Sequence, residues 1–249
     1  MQSNKEELMP TVMITGANRG LGLEFIRHYA NNGWNVIGTC RDPDKAKDLQ
    51  AAATGHPKLR IVALDITNAE SRKTLAKQLK DAAIDVLINN AGILSGNAAS
   101  AWEDDNAPDQ IFGSLDADAW AKVLLTNTLA PVMVSEAFLG HIKNGAQRKI
   151  IMISSLAGSI TGMSRIGHIA YRSSKTALNT AMHNMSLGLE KDGIIVVSLH
   201  PGWVQTDMGG KGADITPAQS IEGMTEVIAG LSLSDSGKFL DYKGAEVPW

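Results

Sequence analysis

Apolar residues fall along this chain in six short, nearly unbroken runs: TVMITG at 11–16, WNVIGTC at 34–40, LRIVALD at 59–65, IDVLINN at 84–90, KIIMISS at 149–155 and IIVVSLH at 194–200. Runs of this length, rich in β-branched residues and without polar alternation, predict strands covered on both faces. Stretches of helical length separate them and carry recognisable ends. TNAE at 67–70 and TPAQ at 216–219 each fit a reciprocal N-terminal cap, the second with Pro217 at the first helical position. Gly33 and Gly193 stand where helices should stop. Strand and helix in alternation predict an α/β chain with a doubly wound, mostly parallel sheet of about seven strands and helices on both faces; GKFLDYKGAEVPW at the end supplies the seventh. No linker of biased composition divides the chain, so residues 1–249 are expected to form a single domain. The stretch from Ile93 to about Asp116 has little apolar pattern and is expected to be an elaborated loop.

Composition narrows the partner. With 23 basic and 26 acidic residues the formal net charge is −3. No basic patch stands out for nucleic acid or an anionic membrane, which leaves a small molecule. The opening MQSNKEELMP is polar where a signal peptide would be apolar, and no later run reaches the ~18 apolar residues of a membrane span. A cytoplasmic location is expected, and the single Cys40, unable to form an intrachain disulfide, suits a reducing compartment. The six histidines make no cluster with cysteine or carboxylates, so no metal is expected.

In open sheets of this kind ligands bind at the carboxyl ends of the strands. There ITGANRGLGLEF places Gly16, Gly20 and Gly22 at the junction of the first strand and first helix. Such glycines allow a tight turn and close approach of a pyrophosphate, which the free N–H groups of a helix N-terminus attract. The spacing is GxxxGxG, a variant of the common Rossmann-type dinucleotide fingerprint. After the second strand comes GTCRDPD. Arg41 there, with Arg19 in the glycine loop, suits a 2′-phosphate and predicts NADP(H) rather than NAD(H). Asp42 placed on the ribose would reverse that choice.

With the glycine loop, NNAG at 89–92, Tyr171 and Lys175 in this order, the chain resembles the short-chain dehydrogenase/reductase superfamily, in its NADP-preferring classical type, over nearly its whole length. HPGWVQTDMGG at 200–210, AYRSSKTALN at 170–179 and the closing VPW look most like the C-factor-like carbonyl reductases within it. The resemblance implies NADP(H) held by the glycine loop with Asn18 and Leu21, by Asp65 and Ile66 flanking the adenine, and by Asn90, Ala91 and Gly92. Pro201, Gly202, Val204 and Thr206 would also bind it, the last two toward the nicotinamide, together with Tyr171 and Lys175. Asn127, Ser155, Tyr171 and Lys175 would form the catalytic set. Ser154 is the other serine at that strand end, and SLAG at 155–158 favours Ser155. A homodimer or homotetramer is implied, with long helices such as the one bearing Asn127 at the interface. The stretch between Ser155 and Tyr171 is a few residues longer than is usual in the family, which affects the substrate loop.

A free phenol titrates near ~10, roughly three units and about 4 kcal/mol from neutrality. Tyr171 and Lys175 stand four apart, on one helical face, and a cation at about 4 Å in an effective dielectric near 20 supplies roughly 4 kcal/mol. The resemblance implies that Tyr171 protonates a carbonyl oxygen as hydride arrives, that Ser155 hydrogen-bonds that oxygen, and that Lys175 holds the ribose and lowers the phenol. Pro131 lacks an N–H and frees the carbonyl of Asn127, four residues earlier, for a water linking it to Lys175; a tolerated kink is the plain alternative. Trp203, Met208, Met163 and His168 are candidates for the substrate pocket or for ordinary packing, with His168 taken as a loop residue rather than a base. The expected activity is reduction of a ketone or aldehyde to an alcohol. The alternatives are an NADP(H)-binding regulatory or signalling protein with little turnover, and a 3-oxoacyl reductase.

Overall fold

The computed structural model describes residues 9–95, 102 and 110–249. The expected loop 93–116 therefore lies partly outside the described residues, as does most of the opening segment. Every apolar run becomes a strand: β1 (Thr11–Thr15), β2 (Asn35–Cys40), β3 (Leu59–Ala63), β4 (Val86–Asn89), β5 (Lys149–Ile153) and β6 (Ile195–His200), with β7 (Phe239–Asp241) from the closing segment. The seven strands form one sheet in the order β3-β2-β1-β4-β5-β6-β7. All six pairings are parallel. Parallel neighbours require crossovers, and the helices that make them cover the two faces.

Each face has its own core. One packs α1 (Gly20–Asn31) and α8 (Pro217–Gly230) on the sheet through Phe25, Ile26, Ile221 and Met224. The other packs α5 (Ala130–Ala137) and α7 (Ile169–Leu189) on it through Val134, Leu178 and Met182. Residues of β1 alternate between them, Val12 and Ile14 on one side and Met13 on the other, as the two-residue period of a strand requires. The chain turns from β1 into α1 and from β4 into the segment after Asn89 next to each other, because β1 and β4 pair directly. Strand order reverses between them, which opens the crevice.

Two local expectations change. The cap at Thr216 forms as read, with Thr216 Oγ1 and Gln219 exchanging bonds and Pro217 opening α8. The cap expected at Thr67 moves to Asn68, whose side chain accepts from Ser71 N, and α3 runs Ala69–Gln78. Thr67 is unavailable because its N–H and hydroxyl both donate to Asp65 Oδ1, at 2.9 and 2.7 Å. At Pro131 the helix widens instead of breaking. A π turn, Leu125–Leu129, joins α4 (Ala117–Leu124) to α5, with Ala130 N donating to Leu125 O five residues back. Missing its N–H, proline cannot continue the ordinary ladder, and a wider turn re-registers the bonds ahead of it.

Candidate active site

Two cavities adjoin at the carboxyl ends of the strands, of about 390 and 380 Å³. Leu21, Ser154, Tyr171, Pro201, Thr206 and Met208 line both. The first lies over the glycine turn and is otherwise bordered by Arg41, Asp65, Ile66, Gly92 and Lys175. Ser155, Trp102, Trp203 and His200 border the second, which is mainly apolar.

The glycine turn is held from beneath. Gly16 has φ +67°, the left-handed region, and a Cβ there would meet Ala91 Cα at 2.9 Å. Gly22, in the first turn of α1, lies so close to the Gly16 carbonyl that any side chain would collide with that backbone. Asn90 fixes this approach: its side-chain N–H groups donate to Thr15 O at 2.9 Å and Gly16 O at 3.3 Å. The Thr15 hydroxyl accepts from Asn90 N and Ala91 N in return. Asn90 thus acts on the turn, tying the NNAG segment to it. Above the turn the space is open, since a Cβ on Gly20 would meet nothing nearer than Thr206 Cγ2 at 3.9 Å. No side chain caps the N-terminus of α1, so its first N–H groups face the cavity without that partner.

Arg41, Arg19 and Asn18 border the same cavity. Arg19 is paired with Asp207 at 2.6 Å, both side chains largely exposed. Asp42 is held by Lys45 at 2.7 Å, and the hydrogen bond from that ammonium lowers its carboxyl below the usual range. Asp65 is lowered by its bonds from Thr67.

Tyr171 and Lys175 lie on the buried face of α7 near its start. Lys175 Nζ stands 5.6 Å from the Tyr171 ring centre and donates to Ile153 O at 2.8 Å. Burial pushes the phenol up to about 12, with Ser155 pulling partway back. Burial takes Lys175 down to about 8. In the free chain burial is the largest influence on the phenol, the desolvation that was expected to reduce the effect of the lysine. Ser155 Oγ accepts from Ala157 N at 3.1 Å. The Ser154 hydroxyl is engaged elsewhere, donating to Asn179 Oδ1 at 2.7 Å.

Asn127 is buried and borders neither cavity. Its side chain accepts from Ile93 N at 2.8 Å and donates to Ile93 O at 2.7 Å and Ser174 Oγ at 3.1 Å. It clasps the segment after β4 to α7, one turn from Tyr171. A Cβ on Gly92 would sit 3.2 Å from Asn127 Oδ1 and 3.8 Å from Lys175 Nζ, so both groups converge there. Gly202 and Val204 border the apolar cavity. Met163 is exposed and lines neither cavity. His168 is a loop residue, as expected, but a fully buried one: at φ +52° it immediately precedes α7, its ring stacked 4.4 Å from that of Trp102. Reading the sequence missed Trp102 and His200 as cavity residues. Trp102 sits in a segment without periodicity, whereas His200 was legible as the end of β6, where side chains reach the crevice.

A family model described as short chain dehydrogenase matches residues 10–214. C-signal of Myxococcus xanthus is 42% identical over 166 residues, 67% of this chain and 93% of its own. Among solved structures, the NADPH bound carbonyl reductase from chicken fatty liver superposes with a TM-score of 0.86 at 38% identity, covering 97% of this chain and 99% of that one. Carbonyl reductase Sniffer of D. melanogaster gives a TM-score of 0.87 at 34% identity, covering 97% and 100%.

Proposed function

This chain belongs to the short chain dehydrogenase family of oxidoreductases, and from that premise we propose that it is an NADPH-dependent reductase converting a ketone or aldehyde to the alcohol, with Tyr171 as proton donor. One observation carries the reading: Tyr171 stands in the wall shared by the glycine-turn cavity and the apolar cavity, where a donor must be to reach a carbonyl set against a cofactor.

The residues present fit NADP(H). The α1 N-terminus with no side-chain cap, beneath open space at Gly20, suits a pyrophosphate. Arg41 suits a 2′-phosphate, and Asp42, engaged by Lys45, is not presented to the ribose hydroxyls. The surface pair of Arg19 with Asp207 is weak enough to yield to a phosphate. NADPH, when bound, supplies the hydride. The carbonyl oxygen takes its proton from the Tyr171 hydroxyl, which with a pKa of about 12 is fully protonated at neutral pH. Ser155, its oxygen already accepting from Ala157 N, keeps its own proton for the same carbonyl oxygen. Lys175, at about 8, is mostly cationic at pH 7 and stabilises the phenolate left behind. A water on the Asn127 carbonyl, freed by Pro131, relays the replacement proton through Lys175. Two copies of the chain associate through the helix that carries Asn127.

NADPH oxidation over a panel of ketones and aldehydes tests the reading, and saturable turnover of at least one is expected. The likeness to C-signal favours a second reading, an NADP(H)-binding regulatory or signalling protein. Saturable NADPH binding with no turnover of any carbonyl would decide for it. Preference for 3-oxoacyl thioesters would identify the 3-oxoacyl reductase alternative.

A further inference from the structure

Among the polar side chains that line the apolar cavity, His200 takes no part in the proposed proton transfer. His200 is the last residue of β6, in register with Asp241 of β7, and it borders the cavity together with Ser155 and Tyr171. Its Nδ1 is sealed from solvent and has no hydrogen-bond partner. Nε2 is not among the sealed atoms, and the residue lines the cavity. A neutral imidazole carries one proton. An enclosed N–H without an acceptor is among the rarest features of folded chains, whereas a bare lone pair is tolerated more often. The proton therefore belongs on Nε2. Burial holds the ring down to about 4, offset only in part by the Asp241 carboxylate, and the imidazole is uncharged throughout the physiological range. What His200 offers is an uncharged N–H donor in a cavity whose lining is mainly apolar and also includes Arg165, Arg172 and Asp214.

Resting on the assignment of this cavity to the substrate, we infer that His200 is a specificity-determining residue whose Nε2–H binds a second, uncharged acceptor oxygen on the carbonyl compound. The preferred class is then dicarbonyls, keto esters and alkoxy ketones on an apolar frame. In so apolar a setting a donor left unpaired is a penalty, and a substrate lacking the second oxygen leaves it unpaired.

The test compares 1-phenyl-1,2-propanedione with 1-phenyl-1-propanone, using NADPH, for the wild type and for His200→Leu, His200→Asn and His200→Gln. Glutamine carries its amide near the position of Nε2, asparagine near that of Nδ1. His200→Leu is expected to raise KM for the dione about tenfold with kcat nearly unchanged, and to leave the monoketone within about twofold. His200→Gln should restore the dione and His200→Asn should not. Equal losses on both compounds, an unchanged dione KM in His200→Leu, or rescue by asparagine as complete as by glutamine would each overturn the inference while leaving the reductase reading intact. A wild type that binds NADPH and reduces neither compound, nor any on the wider panel, overturns both. Thermal melts and NADPH affinity of each variant separate a folding defect from a lost contact, and a properly folded His200→Gln decides the matter even where the leucine variant fails to fold.

Discussion

Enclosure of Tyr171, the proposed proton donor, makes its proton hard to remove. Replacing it with phenylalanine keeps the ring that packs with Leu94 and Ala157 and removes only the hydroxyl. Tyr171→Phe is expected to cut kcat by about a thousandfold with NADPH affinity unchanged; near-normal turnover would end the proton-donor assignment. Lys175 sets the pH dependence. Its pKa is depressed to about 8, so the cation beside the phenol is present below that value and lost above it. Tyr171 stays protonated across this range and His200 stays neutral above about 5. The reduction rate should therefore be level from about pH 6 to 7 and fall through about 8, measured as kcat/KM against pH. Under the proposed NADPH dependence, Arg41→Ala should raise KM for NADPH roughly ten- to a hundredfold and leave NADH nearly unaffected. Equal effects on both cofactors would remove the 2′-phosphate from its account.

The glycine turn and the helix it opens work as one unit, because α1 begins under the Gly16 carbonyl. Gly22→Ala forces a methyl into that backbone contact and moves the N-terminus of α1 away from the turn. Loss of NADPH affinity by about tenfold or more is expected, with a cost of roughly 1–3 kcal/mol in stability. Titration by cofactor fluorescence and a thermal melt read the two effects separately. The π turn shows how a single residue type reshapes a whole element. Pro131 was legible as a break in the ladder, but whether the helix would kink, admit water or widen depended on what it packs against. Asn127 on Ile93 and Thr128 Oγ1 on Ser174 O pin the widened turn to both neighbours. The cap of α3 teaches a similar lesson, since Thr67 had the right spacing and was claimed first by Asp65.

Among the described residues, the π turn and α5 carry an exposed apolar stripe. Leu125, Leu129 and Met133 are 41%, 52% and 39% exposed, spaced four apart along the π turn and α5. They form the stripe through which the proposed dimer associates. Leu129→Arg should convert a dimer to a monomer in light scattering behind size exclusion; a wild type already monomeric would discard the interface. Trp249 packs back on the fold, its carbonyl accepting from Thr161 N at 2.9 Å and its ring lying against His183 and Phe239.

The sequence determined whatever depends on short range and on periodicity. Seven strands, their parallel pairing and the positions of Gly16, Gly20, Gly22, Tyr171 and Lys175 follow from apolar runs and fixed spacings, which survive any detail of packing. Only the tertiary structure decided what each side chain meets across the fold. It gave Asn90 to the glycine turn, Arg19 to Asp207 and Asn127 to Ile93, and it brought Trp102 and His200 to the apolar cavity beside Tyr171. Burial, which depends on all the surrounding elements at once, then placed the phenol near 12 and the lysine near 8, values no spacing along a chain can specify.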